Sequence, residues 1–281
     1  MSAEKDISLD EKRVYEGDQR EREAFVACAM GIVRVEVVDE RVGTFSLAHR
    51  CDARDVAAGD GGRIAVATDE DVLLAGGTGS DEGDGESPDF VETGFGPAVA
   101  VGFDGYDLLA ASEDGLVARL RGAVTRDDWA EVGALDYDVR AIDGDLVAAA
   151  DGVYRVSGEL DHVGLDDARD VSAVGTPWAA TGTGLYYLGN GWMDALDGEF
   201  TLVSGDGERR HAASRETLYE HVDGDWREAT TQPEHPLAGL ASGETTYAVT
   251  PGGEFLAEAD DGWRVQVLGM PDVTGLVVRQ A

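Results

Sequence analysis

The residues in this chain best suited to chemistry are a recurring set of aspartates and arginines. Asp52-Ala53-Arg54-Asp55-Val56 and Asp167-Ala168-Arg169-Asp170-Val171 share one run, and Asp138-Val139-Arg140-Ala141 begins in a similar way. Carboxylates beside guanidinium groups suit general acid–base work, or the holding of a charged ligand, when several converge on one cavity. Arg54, Asp55, Asp138, Arg140, Arg169 and Asp170 are therefore the candidate ligand-binding residues. His235, set between Glu234 and Pro236, joins them as a candidate base. The competing structural reading is that each arginine simply pairs with neighbouring acids.

More specific chemistries lack their residues. The histidines are His49, His162, His211, His221 and His235, and no Gly-x-Ser-x-Gly run supplies a nucleophile elbow. The Ser-x-Asp-x-Gly-x-x-Trp turns of sialidase-like propellers are absent, and Asn190 is the only asparagine, so a calcium site of the lactonase type has no asparagine set to build on. Residues 78–89 (TGSDEGDGESPD) are acidic without the alternating order of a calcium loop, and read as a solvated insertion. Cys28 and Cys51 form no Cys-x-x-Cys pair and no four-ligand zinc set. No catalytic residue, metal or cofactor is assigned, and the two thiols fit a reducing compartment.

The elements that must position these residues form a repeat. A short phrase, a Gly or polar residue before an apolar strand, begins at residues 31, 71, 115, 152, 184, 217 and 253, with spacings of 40, 44, 37, 32, 33 and 36. That is the period at which four short strands make one propeller blade. A strand of small apolar residues precedes most of the phrases, as in Ile64-Ala65-Val66-Ala67 and Leu146-Val147-Ala148-Ala149. The Asp-Ala-Arg-Asp-Val runs lie one strand further upstream, where small side chains suit the crowded axis. A fourth strand follows, marked by Phe90, Trp129, Trp192, Trp226 or Trp263.

The first hairpin, residues 25–38, lacks an innermost strand, and Val273-Thr274-Gly275-Leu276-Val277-Val278 is such a strand with no blade after it. Pairing the two completes one blade from both chain ends and removes exposed edges. The expected fold is thus an all-β, seven-bladed propeller of four-stranded blades. Six or eight would follow from one miscounted unit, and residues 201–224 are the least regular. Residues 1–23 are read as a charged flexible segment and 24–281 as one propeller domain.

On the Asp-Ala-Arg-Asp-Val starts, the Gly-Leu-Tyr hairpins and the closing strand, the chain from about Phe25 resembles an uncharacterised haloarchaeal β-propeller family within the WD40- and YVTN-like group. The resemblance implies a fold and a cytoplasmic haloarchaeal setting, with no activity and no functional residue to carry over. WD40 Trp-Asp endings and regular kelch glycine pairs are missing.

Composition points the same way. With 22 Lys+Arg against 57 Asp+Glu, the net charge is −35, and only Lys5 and Lys12 are lysine. Self-repulsion of that size destabilises a compact state in dilute buffer. In molar salt it is screened, because the Debye length falls to about 3 Å. The surface is read as salt-adapted. Nucleic acid and membranes are not expected partners, because no basic stripe is present and no apolar run approaches the ~20 residues of a membrane span. The N-terminus has no apolar signal region, so a soluble, cytoplasmic monomer is expected. Two functions remain: a non-catalytic scaffold or binding module with a protein partner or small ligand, or a hydrolase or lyase acting on a small molecule at the axial mouth.

Overall fold

The computed structural model describes residues 21–38, 40–76, 88–123 and 128–279. The charged segment 1–23 lies outside them as far as residue 20, and the acidic insertion 78–89 as far as residue 87.

The described strands group into seven sheets, each of four antiparallel strands. Their inner strands, for blades 1 to 7, are Val273–Arg279, Ala53–Gly59, Ala100–Asp104, Val139–Asp143, Ala168–Ser172, Leu202–Gly205 and Gly239–Ala241. Neighbouring inner strands touch in this order, and the seventh touches the first. The chain is a seven-bladed β-propeller around one axis.

The second strand of each blade is pressed between two blades, so both of its faces must be apolar. Ile64, Ala65, Val66 and Ala67 are accordingly fully buried, as are Leu146 to Ala149. Five of these second strands end in, or are followed directly by, a hydroxyl residue that accepts a backbone N–H from the residues beyond it. Thr68 takes Asp71 N at 3.0 Å, Ser112 takes Leu116 N at 3.2 Å and Thr181 takes Gly184 N at 3.0 Å. Ser214 takes Thr217 N at 3.0 Å and Thr250 takes Glu254 N at 3.1 Å. Such side-chain bonds satisfy turn amides that no strand can reach.

The fourth strands are solvent-facing, and three of their tryptophans tie backwards to the preceding blade. Nε1 of Trp129 donates to Thr93 O at 3.2 Å, that of Trp192 to Val163 O at 3.0 Å, and that of Trp263 to Thr231 O at 3.4 Å. The indole covers apolar area while its N–H finds an acceptor.

Closure follows the expected route. Val273–Arg279 pairs antiparallel with Glu21–Cys28, from Glu23 opposite Arg279 to Cys28 opposite Val273. Arg279 Nη1 meets Glu23 Oε2 at 3.0 Å. On the other flank of this strand the backbone of blade 7 comes so close that a Cβ on Gly239 would stand 2.8 Å from Leu276 N. Gly239→Ala should therefore push blade 7 off the closing strand and cost about 1–3 kcal/mol in urea unfolding. An unchanged unfolding midpoint would contradict this packing.

Candidate functional site

The site at the axis is built by an irregularity repeated in the inner strands. In blades 1, 2, 4 and 5 the ladder to the second strand skips one residue: Thr274, Arg54, Arg140 and Arg169. Blades 3, 6 and 7 carry an extra bond at the same place, with Val99 N on Ala111 O, Thr201 N on Ala213 O and Ala238 N on Val249 O. A bulge of this kind re-aims the side chain it releases. Each of the four released side chains reaches the next blade. Thr274 Oγ1 donates to Ala53 O at 3.1 Å, and Arg54 Nη1 lies 4.0 Å from Glu113. Arg140 Nη1 donates to Asp167 Oδ1 at 2.5 Å and to Ala168 O at 3.1 Å. Arg169 holds the other oxygen of Asp167 at 3.1 Å and reaches Glu199 at 3.5 Å. Arg140, and Arg169 after it, hold the Asp167 carboxyl below the usual carboxylate range.

The next residue along these strands does the same from a less solvated position. Asp55 Oδ1 accepts its neighbour Val56 N at 2.8 Å, and Oδ2 accepts Val101 N of blade 3 at 2.9 Å. Asp170 repeats the arrangement with Val171 N at 2.9 Å and Val203 N of blade 6 at 2.8 Å. This explains why the Asp-Ala-Arg-Asp-Val run recurs: Ala and Val pack, Arg bulges outward, and Asp spans the gap between blades. In blade 4, Asp143 Oδ2 likewise accepts Ala173 N of blade 5 at 2.7 Å. Burial pushes all three carboxyls up, Asp55 and Asp170 to about 7, against the pull of the amide bonds.

The far ends of the inner strands are joined mostly by arginines. Arg63 donates to Tyr106 O at 2.8 Å, Arg279 Nε to Gly62 O at 2.7 Å, and Arg210 to Val174 O at 2.8 Å. Arg22 meets Glu244 Oε2 at 2.6 Å, and Arg209 donates to Glu244 O at 2.7 Å. Ser242 binds twice to Ser204, N to Oγ at 3.0 Å and Oγ to O at 3.1 Å, and its Oγ lies 2.9 Å from His211 Nδ1. Burial holds the His211 pKa down, so the ring is neutral at neutral pH.

These ends enclose an axial cavity of ≈ 860 Å3 with walls from all seven inner strands. It brings together four of the seven candidates: Asp55, Arg140, Arg169 and Asp170. Arg54 is turned towards Glu113 instead. Asp138 is exposed, and its carbonyl accepts Ala150 N at 3.0 Å. His235 lies apart, in a cleft of ≈ 230 Å3 between blades 6 and 7, with Nδ1 2.9 Å from Glu254 Oε2. Asp143, Ser204, Ser242 and His211 had not been singled out in the sequence. Asp143 stands in an Asp-Gly-Asp turn that reads as punctuation, and the serines follow no motif. Among the described residues, no group of three or more His, Cys, Asp or Glu is placed to hold a metal ion.

A closed ring of seven antiparallel sheets around a polar axial cavity defines the class, a β-propeller. The chain belongs to the family described as "Beta-prop_HVO_0234:-like, beta propeller", whose model matches residues 8–279. Among solved structures, it is similar to a functionally unknown protein from Desulfotomaculum acetoxidans DSM 771, with TM-score 0.67 at 10% identity over 93% of this chain and 99% of that one. The WD40 β-propeller domain of Doa1 gives TM-score 0.61 at 14% identity over 78% of this chain and 84% of that one. Apo AztD from Citrobacter koseri gives 0.56 at 10% identity over 89% and 83%. At these identities the likeness is one of fold. No curated protein matches the chain.

The two kinds of clasp should differ in weight. At about pH 6, Asp170→Ala leaves the Val171 and Val203 amides without their acceptor and should cost ~1–3 kcal/mol for each. Arg169→Ala removes only solvent-facing ion pairs and should cost less than about 1 kcal/mol, and less still in molar salt. Urea unfolding of both variants checks this, and equal losses would contradict it.

Proposed function

We propose that the protein is a binding module, a rigid propeller that takes a small ligand in its axial cavity, or a protein partner on its rim, without catalysis. One observation carries this reading: every ionisable side chain in the cavity wall is already bonded. Asp55, Asp143 and Asp170 hold backbone amides, and Arg140 and Arg169 hold Asp167. A general acid or base must be able to exchange its proton with substrate, and a nucleophile needs a base beside it that is not otherwise engaged. For the hydrolase or lyase alternative, the nearest pair is Ser242 with His211, and the Ser242 hydroxyl already bridges blades 6 and 7. Preformed concave sites with few convergent polar groups are the usual form of small-ligand sites.

The acidic, lysine-poor composition, with net charge −35, is part of the same proposal. It suits a monomer working in a cytoplasm of molar salt, away from nucleic acid and membranes.

The test is a thermal-shift screen of small metabolites in molar KCl, with Ala58→Trp as control. Ala58 is exposed inside the cavity, so the indole would fill it. A ligand at about 100 times its Kd should stabilise the protein by ~2.7 kcal/mol, and the effect should vanish in Ala58→Trp. Turnover of a screened compound, or stabilisation that survives Ala58→Trp, would overturn the reading.

A further inference from the structure

At one equivalent position, each inner strand turns a backbone N–H away from its second strand, towards the free edge at the axis. The residue lies two places past the bulge or the extra ladder bond. Val56, Ile142, Val171 and Leu276 follow Arg54, Arg140, Arg169 and Thr274 in this way, and Val101, Val203 and Leu240 follow Val99, Thr201 and Ala238. All of them line the axial cavity. Two carboxylates cap four of these amides. Asp55 spans Val56 of its own blade and Val101 of the next, and Asp170 spans Val171 and Val203. A carboxylate bridging two neighbouring inner strands is therefore an arrangement the ring itself builds, and the ionised form accepts such bonds most strongly.

The amides of Ile142, Leu240 and Leu276 are left, and among the described residues no side chain accepts from them. Ile142 stands between blades 3 and 5, whose amides are both capped. Leu240 and Leu276 are on neighbouring blades, 7 and 1, and form the one adjacent pair with neither member capped. The residue before Leu240 holds the place of Asp55 and Asp170, and it is Gly239. Blade 1 approaches so closely that a Cβ there would stand 2.8 Å from Leu276 N, so no side chain can grow from this place to cap the pair. An acceptor for these two N–H groups has to come from the cavity.

We propose that the axial cavity takes a carboxylate ligand, whose two oxygens bridge the Leu240 and Leu276 amides as Asp55 and Asp170 bridge theirs. A ligand of this class presupposes the binding reading above. Two N–H donors offer nothing to an ammonium group, and a neutral carbonyl accepts from them less strongly than a carboxylate. Asp55 occupies the joint between blades 2 and 3 and Asp170 that between blades 5 and 6, so a ligand at the joint between blades 7 and 1 shares no joint with either. Their like charge opposes it, and molar salt screens that repulsion. Arg22 and Arg279, the cavity-lining arginines of blade 1, add positive charge on this side, shared with Glu244 and Glu23.

The experiment follows the backbone amide resonances of a nitrogen-labelled sample in molar KCl as acetate, succinate or benzoate is added, each against its neutral amide. A carboxylate should move Leu240 and Leu276 downfield together and to saturation, with Val101 and Val203 nearly still, and its amide should not. Leu276→Pro removes one donor at a free strand edge, where proline is tolerated, and should weaken that carboxylate about tenfold or more. Should Leu276→Pro not fold, the wild-type titration decides alone. No movement of the pair with any of the three acids, equal movement with the neutral amides, or unchanged affinity in folded Leu276→Pro would overturn the proposal. Stabilisation by amines or neutral compounds that is lost in Ala58→Trp, with no carboxylate moving the pair, would overturn the ligand class and leave the binding reading standing.

Discussion

The rest of this structure depends on how amide groups at the free edges of the inner strands are satisfied. A strand at the axis has a partner on one side only, and an N–H left without an acceptor in a packed ring costs as much as a lost hydrogen bond. Carboxylates of Asp55, Asp143 and Asp170 reach across the blade gap to supply that acceptor. Each such bond joins the inner strands of two neighbouring blades. Donor side chains bridge the same gaps in the opposite sense: Arg54, Arg140, Arg169 and Thr274 at the bulges reach carboxylates or a carbonyl, and Arg63, Arg210, Arg279 and Ser242 at the far ends donate to backbone carbonyls.

This constraint accounts for how polar residues sit inside a very acidic protein. An exposed ion pair is weak, and weaker in salt. A carboxylate that accepts two backbone amides is local and hardly screened. The acids therefore divide into a large solvated set, which sets the net charge of −35, and a small bonded set at the axis that holds the ring. Several arginines are used as long hydrogen-bond donors to backbone carbonyls of neighbouring blades, a role their planar fork suits.

Much of the fold was legible in the sequence because each blade repeats the same burial problem. Strands such as Ile64–Ala67 must be apolar on both faces, and that pattern recurs with a period the eye can follow. The closing strand could be read because an inner strand without a blade, at 273–278, matched a hairpin without an inner strand. The site was less legible. Arg54 and Arg169 occur in identical runs, yet only Arg169 lines the cavity, because the acids within reach differ: Glu113 for one, Asp167 and Glu199 for the other. The recurrence of Asp55 and Asp170 marks a shared role without saying that its object is a backbone amide two blades' edges apart in sequence. His235 was drawn to the axis by its place before an inner strand, whereas Pro233 and Pro236 frame it in a separate cleft between blades 6 and 7.

The central claim is that the axial aspartates serve as acceptors for the neighbouring blade's backbone. The amide resonances of Val101 and Val203 test it most directly, in a nitrogen-labelled sample held in molar KCl. Both protons should lie downfield, as expected for amides bonded to carboxyl groups. Asp55→Ala should move Val101 alone among the two, and Asp170→Ala should move Val203 alone. Resonances that stay in place, or that shift together in either variant, would contradict the account.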